Sequence, residues 1–231
     1  MGKIVAIITA GGSGKRIKSK VKKQYIKLKQ RPILFWTLDK FIHHKLIDDI
    51  IITLPEDDFA EMQISLSNEF SDYDFNLVKG GKERQDSVFN ALCACPKDTT
   101  IVLIHDGVRP FIDPVEITNL IEIAKLKKAV IPIAKVKNTI KEIDDSKIVK
   151  TVPRKNLVAA LTPQVFDYKL IVSHHMKAFN DRFQSTDDAS ILEYYGIPVY
   201  YLECSSRNIK ITDQFDLHMA ESILEKEQQT K

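Results

Sequence analysis

The sequence predicts an α/β fold, a parallel sheet covered by helices. Apolar runs of strand length alternate with amphipathic stretches of helix length along most of the 231 residues. The runs are nearly continuous rather than alternating, as in strands buried on both faces. Three segments rich in small or charged residues, "ITAGGSGKRIK", "GGKERQDS" and "HDGVRP", fall at or just after the ends of such runs. Ligands of parallel sheets gather at the carboxyl ends of the strands.

Residues 3–9 read as the first buried strand and 33–44 as a helix. "DDIIITLP" is a strand followed by a helix over 56–70, and "FNLVK" a strand followed by a helix over 84–95. "TTIVLIHD" precedes a helix over 113–127, and "AVIPIA" is a further strand. The pattern breaks at 135–153, two short strands around Asp144-Asp145-Ser146 whose faces mix polar and apolar residues. A two-stranded hairpin is marginal alone. It therefore reads as an arm projecting onto a partner, most simply a second copy of the chain. Helices follow at 167–180 and 187–195, a strand at 197–203, and a last helix at 213–227. "VLIHD" and "NIKIT" are expected to end near one another at the active centre.

Composition narrows the function. No apolar run approaches the roughly 18 residues of a membrane span, and the amino terminus lacks a signal-peptide pattern, so a cytoplasmic protein is expected. Cys93, Cys95 and Cys204 contain no CxxC pair and read as buried free thiols. His43-His44 and His174-His175 are adjacent pairs that point apart on a helix, and read as surface residues. Residues 1–38 hold ten Lys or Arg and no acid, whereas the rest has 24 basic against 31 acidic residues, net −7. One basic loop beside a Gly-rich turn suits a small polyanion such as a triphosphate better than a nucleic acid.

Familiar phosphate loops do not fit that turn. Thr9 stands where a Walker loop needs its first Gly, and Ile17 where a dinucleotide loop needs its third. Yet Ala10, Gly11, Gly12, Ser13 and Gly14 let backbone N–H groups approach an anion closely. Arg16 and Lys23 follow, and fixed cations of this kind stabilise the charge of a phosphoryl transition state. Asp106, just past a buried strand, is a candidate for Mg²⁺, which is commonly held by one carboxylate beside substrate phosphates. His105 reads as a satisfied core histidine.

Taken in order, "ITAGGSGKRI", Lys23-Gln24-Tyr25, "GGKERQDSV", "HDGVRP", "ALTPQVF", "TDDASILEYYG" and "NIKIT" resemble the 2-C-methyl-D-erythritol 4-phosphate cytidylyltransferases over about residues 3–225. The resemblance implies one Rossmann-like nucleotidyltransferase domain over 1–231, with a mostly parallel sheet, helices on both faces, and 135–153 as a β-hairpin dimerisation arm. It implies CTP and methylerythritol phosphate as substrates, CDP-methylerythritol and pyrophosphate as products, and Mg²⁺ as cofactor. Ala10 to Gly14 would wrap the CTP phosphates, and Arg16, Lys23 and Lys210 would be catalytic. Gly81, Lys82, Glu83 and Ser87 would form and orient the cytosine loop, with Asp106 and Gly107 against the metal and ribose. Arg109, Thr139, Arg154, Thr162 and Thr186 would surround the acceptor, with Thr139 and Arg154 donated by a second subunit.

Three departures from the family pattern bear on the site. Lys22 replaces a usual proline, Gly107-Val108 stands where Ala-Ala is frequent, and Val158 and Ala159 stand where a Trp commonly precedes "ALTPQ". The altered acceptor wall keeps ribitol-5-phosphate cytidylyltransferase as the alternative. A non-catalytic nucleotide-binding module is the alternative of another class, although it would not need Arg16, Lys23, Asp106 and Lys210 together.

Overall fold

Two helical layers enclose the main sheet, which explains why its strands read as unbroken apolar runs. The computed structural model describes residues 2–11 and 25–229. Its strands are β1 (Lys3–Thr9), β2 (Lys27–Leu28), β3 (Arg31–Pro32), β4 (Asp49–Leu54), β5 (Asn76–Lys79), β6 (Thr99–Asp106), β7 (Ala129–Lys135), β8 (Ile140–Asp144), β9 (Lys147–Val152), β10 (Val158–Ala160), β11 (Gln164–Asp167) and β12 (Tyr200–Glu203). The helices are α1 (Ile33–Ile42), α2 (Phe59–Glu69), α3 (Arg84–Cys93), α4 (Pro114–Lys127), α5 (Tyr168–Asn180), α6 (Asp188–Tyr194) and α7 (Gln214–Gln229).

Strands β5, β4, β1 and β6 lie side by side and parallel. Strand β11 then runs antiparallel between β6 and β7, and β7 also pairs with β10 antiparallel and with β12 parallel. The sheet is thus mostly parallel, as expected, with β10 and β11 as its antiparallel members. They come from "ALTPQVF" and its surroundings, where the apolar run of residues 157–161 holds β10 and only Val165 and Phe166 are apolar in β11. Side-chain alternation divides the core. Ile4, Ala6 and Ile8 of β1 face α1, α2 and α4, whereas Val5 and Ile7 face α3, α5 and α6. A third cluster seats α7 through Ala220 and Leu224 against Leu28, Ile33, Phe111 and Ile211.

Helix starts follow local chemistry. Asp113 accepts from the Val115 N–H ahead of α4, with Pro114 at the first helical position, and Asp167 accepts from the Leu170 N–H ahead of α5. Asp187 and Ser190 close a reciprocal cap on α6. Strands β8 and β9 pair only with each other among the described residues. The hairpin leaves Ile143, Ile148 and Val149 exposed at 68%, 65% and 56%.

Several expectations need correction. His44, His174 and His175 are buried rather than on the surface. The His44 Nε2 meets the Pro114 carbonyl and the Thr118 hydroxyl at the start of α4, and the His174 Nδ1 donates to the Leu170 carbonyl. His44 and His174 thus have backbone carbonyls to meet inside the protein, and His175 lies against the Asp188 carboxylate. The cysteines are free as expected, but Cys93 is exposed because it lies on the outer side of α3 while Cys95 turns inward. No helix among the described residues is long and apolar enough to cross a membrane.

Candidate active site

Four loops meet at the carboxyl ends of β1, β4 and β6. The Ala10 N–H donates to the Thr53 carbonyl at 3.0 Å and the Gly107 N–H to the Thr9 carbonyl at 2.9 Å, so the turn after β1 is tied to both neighbouring strands. A Cβ on Gly107 would stand 3.0 Å from Leu34 Cδ1 and 3.1 Å from the Thr9 carbonyl oxygen. The space admits at most a small side chain here, and only if Leu34 gives way by a few tenths of an ångström. Gly12, Ser13, Gly14, Arg16 and Lys23 lie outside the described residues.

The loop after β5 is built on one hydroxyl. Ser87 Oγ accepts from the Gly81 N–H at 2.9 Å and donates to the Glu83 carbonyl at 3.1 Å. Any Cβ on Gly81 would lie 2.2 Å from Asp86 Cβ. The Glu83 N–H donates to Asp86 Oδ2, which starts α3 with its free N–H groups toward this loop. Lys82 and Glu83 are exposed, and the Glu83 side chain accepts from the Asp86 N–H in a reciprocal cap on α3. Gly11 comes close: a Cβ there would be 3.6 Å from Ser87 Oγ. The two glycine-containing loops therefore face one another.

Asp106 is the electrostatic centre. Arg109 Nε donates to its Oδ2 at 2.9 Å, Lys210 Nζ meets the same oxygen at 3.0 Å, and Arg84 Nε stands 3.7 Å from Oδ1. Burial alone would favour the neutral acid, but Lys210, Arg84 and Arg109 reverse this and hold the carboxyl well below the usual carboxylate range. The Lys210 side chain keeps 38% exposure, enough to meet a ligand. Arg109 has little such freedom: it is buried, and its Nη1 donates to the Asn208 carbonyl at 2.9 Å.

A chain of hydrogen bonds behind Asp106 sets the protonation of His105. A carbonyl can only accept, so His105 Nε2 must donate to the Arg109 carbonyl at 3.0 Å. Its Nδ1 then accepts from the Thr162 hydroxyl at 3.0 Å, whose oxygen accepts from the Asp106 N–H at 3.2 Å. Burial pushes the imidazole down to about 4, in keeping with this neutral tautomer. His105 is the satisfied core histidine expected. Thr162, expected at the acceptor, is buried and spends its hydroxyl on this chain. Asn208 Nδ2 donates to the Thr162 carbonyl at 2.8 Å, which joins "ALTPQ" to "NIKIT".

The remaining expected residues are more peripheral. Thr139 is exposed at the foot of the hairpin, and Arg154 is exposed with its guanidinium on the Lys137 carbonyl. Thr186 is exposed just ahead of α6. Strand and helix periodicity missed a second buried ion pair, Arg84 to Asp188 at 2.8 Å, with His175 Nε2 3.4 Å from the other Asp188 oxygen. It also missed Gln164, whose Oε1 accepts from the Asp188 and Ala189 N–H groups and whose Nε2 donates to Asp187. The signal available was their position inside "GGKERQDSV", "ALTPQVF" and "TDDASILEYYG".

Two facing glycine loops, with an ionised carboxylate and a partly exposed lysine at the same strand ends, suit a bound nucleotide and the transfer of one of its phosphoryl groups. With the mostly parallel sheet beneath, they place the protein among the Rossmann-like nucleotidyltransferases. Similarity to known proteins narrows this further. Residues 4–226 match the IspD family, 2-C-methyl-D-erythritol 4-phosphate cytidylyltransferase. A relative of that name from Clostridium novyi is 44% identical over 97% of this chain and 98% of its own length, and one from Clostridioides difficile is 39% identical over 96% and 93%. Among solved structures, 4-diphosphocytidyl-2C-methyl-D-erythritol synthase from Anaerococcus prevotii superposes with a TM-score of 0.83 at 35% identity, covering 97% of this chain and 99% of that one. The chain belongs to the IspD family, whose members form CDP-methylerythritol from CTP and methylerythritol phosphate.

Proposed function

We propose that the site works as follows. An acceptor phosphate oxygen attacks the α-phosphorus of CTP, and pyrophosphate leaves. The attacking oxygen is already anionic, so no protein nucleophile is needed, and catalysis is positioning plus charge stabilisation. The contact that carries this reading is Lys210 Nζ against Asp106 Oδ2 at 3.0 Å. It supplies a mobile cation, held ready by a carboxylate, at the mouth between the two glycine loops. Lys210 acts on the α-phosphate, joined by Arg16 and Lys23. Ala10, Gly11, Gly12, Ser13 and Gly14 donate backbone N–H groups to the phosphates. Gly81, Lys82, Glu83 and Ser87 offer backbone groups to the edge of cytosine.

Asp106 fits a divalent cation in one respect and limits it in another. Its carboxylate is ionised, and no hydrogen bond among the described residues occupies Oδ1. No group of three or more His, Cys, Asp or Glu side chains among the described residues forms a metal cluster. A single carboxylate with substrate phosphates completing the shell is a usual arrangement for Mg²⁺. Asp106 would hold the ion, which would neutralise charge on the phosphate oxygens. Gly107 keeps the backbone clear for the ribose. Arg109 supports Asp106 from behind and lends its charge to the acceptor side, where Thr186 would add a polar group.

We infer further that residues 1–231 form one nucleotidyltransferase domain and that 135–153 is its dimerisation arm. The exposed Ile143, Ile148 and Val149 on an otherwise unsupported hairpin favour this reading. Thr139 and Arg154 would then reach the acceptor phosphate of the partner subunit. Pyrophosphate release from CTP with methylerythritol phosphate and with ribitol 5-phosphate tests the acceptor. Methylerythritol phosphate is expected to dominate, and an equal or faster reaction with ribitol 5-phosphate would reject the assignment.

A further inference from the structure

Arg84 is the first residue of α3 and follows the cytosine loop directly. Its guanidinium lies between two buried carboxylates. Nη2 is 2.8 Å from Asp188 Oδ2, whereas Nε is 3.7 Å from Asp106 Oδ1. The first contact is a full ion pair. The second falls just short of a hydrogen bond. Asp188 cannot follow Arg84 toward Asp106. Its backbone N–H is held by Gln164 Oε1 at 3.0 Å, and its second oxygen lies 3.4 Å from His175 Nε2. The His175 ring in turn stacks on Phe89 of α3, with centroids 6.3 Å apart. Asp188 is thus a fixed anchor, 1% exposed, on the far side of the guanidinium.

We propose that Asp188 is a positioning residue that holds Arg84 away from Asp106, and so keeps Asp106 Oδ1 open to a divalent cation arriving with the nucleotide. The argument rests on the proposed function in taking Asp106 as the metal carboxylate. Oδ2 is already committed to Arg109 and Lys210. Only Oδ1 remains, and among the described residues Arg84 is the cation nearest to it. A guanidinium that is only 29% exposed and loses its carboxylate is drawn to the next one in reach. Here that is Asp106, less than 1 Å beyond hydrogen-bond distance. The geometry also links base reading to metal binding, because the residue being restrained begins the helix that carries Ser87.

Asp188→Asn tests this, with the doubly neutral Arg84→Gln/Asp188→Asn variant as the rescue. CTP binding is measured by calorimetry with and without Mg²⁺ and without acceptor, so that turnover does not enter. Asp188→Asn is expected to weaken Mg²⁺-dependent CTP binding by about tenfold to 100-fold, the usual effect of disturbing groups behind a metal ligand. The double variant should recover most of that loss, because no free guanidinium remains to compete. A purely structural role would lower the melting temperature of both variants and give no rescue of binding, which would overturn the proposal. Should Asp188→Asn fail to fold, Arg84→Lys serves instead. Its ammonium, paired to Asp188, cannot span both carboxylates, so Mg²⁺-dependent binding should stay near that of wild type. A tenfold loss there would mean that Arg84 contacts the nucleotide directly and would reject the proposal. If wild-type CTP binding ignores Mg²⁺, the metal assignment to Asp106 falls, and this inference with it.

Discussion

In the proposed mechanism, Lys210 is the described residue on which the chemistry most directly turns. Its ammonium rests on Asp106 but keeps enough exposure to swing to an incoming phosphate. Lys210→Ala should lower kcat by about 100-fold or more, the usual cost of losing one electrostatic stabiliser. The melting temperature should change little, since Arg109 and Arg84 still face the carboxylate; steady-state kinetics beside thermal melts check both. His105 makes a separate prediction about pH. Its neutral form is favoured by burial, so its folded value lies near 4, below the ordinary 6.5. The stability it contributes is complete above about pH 6.5 and is lost as pH falls toward 4, on the order of 3 kcal/mol in all. Asp106 and Asp188 are shifted downward from 3.8, so their contributions are lost only at lower pH. Denaturant melts of wild type and His105→Gln from pH 7 to 4.5 should therefore converge as the pH falls. Parallel pH dependence in the two would show that His105 does not control this window.

At the level of the element, the loop between β5 and α3 depends on Ser87. Removing its hydroxyl leaves the Gly81 N–H without its partner and frees the segment that would meet the base. Ser87→Ala should raise KM for CTP several-fold, consistent with about 1 kcal/mol for one hydrogen bond, and leave kcat largely intact. Gly81→Ala should be more severe, because its Cβ would collide with Asp86 and displace the start of α3. Comparing CTP with UTP in both variants reads the loop rather than the phosphates: discrimination should shrink. A variant that binds all nucleotides more weakly by the same factor would place the effect elsewhere.

For the whole molecule, the hairpin of β8 and β9 is the element that the monomer leaves unexplained. If Thr139 and Arg154 complete the partner's acceptor site, two inactive variants should complement. Mixing Lys23→Ala with Arg154→Ala gives heterodimers with one site carrying both defects and one carrying neither. Activity should rise toward about a quarter of wild type for random equal exchange, because half the dimers are mixed and half their sites are intact. Subunits that each build their own site would show no recovery, and a monomer by light scattering would exclude the arrangement outright.

The strand–helix alternation, the hairpin at 135–153 and the convergence of "ITAGG", "GGKERQDS", "HDGVRP" and "NIKIT" were all legible in the sequence. Periodicity reports burial on each face, and motif order reports which strand ends bear chemistry. The Asp106–Lys210 contact was foreseen as a meeting of two loops, though not as an ion pair. Beyond that reach lay the antiparallel β11 inserted between β6 and β7, the tautomer of His105, and the Arg84–Asp188 pair behind the site. The β11 pairings join residues 35 to 66 positions apart, the His105 Nδ1 partner Thr162 is 57 positions away, and Arg84 and Asp188 are 104 apart, so only chain folding brings them together. A hydrogen bond or ion pair between such residues leaves no local period to read. Burial misled in part for the same reason: His44 and His175 go inside because α4 and Asp188 of α6 supply partners, whereas His174 meets the Leu170 carbonyl of its own helix.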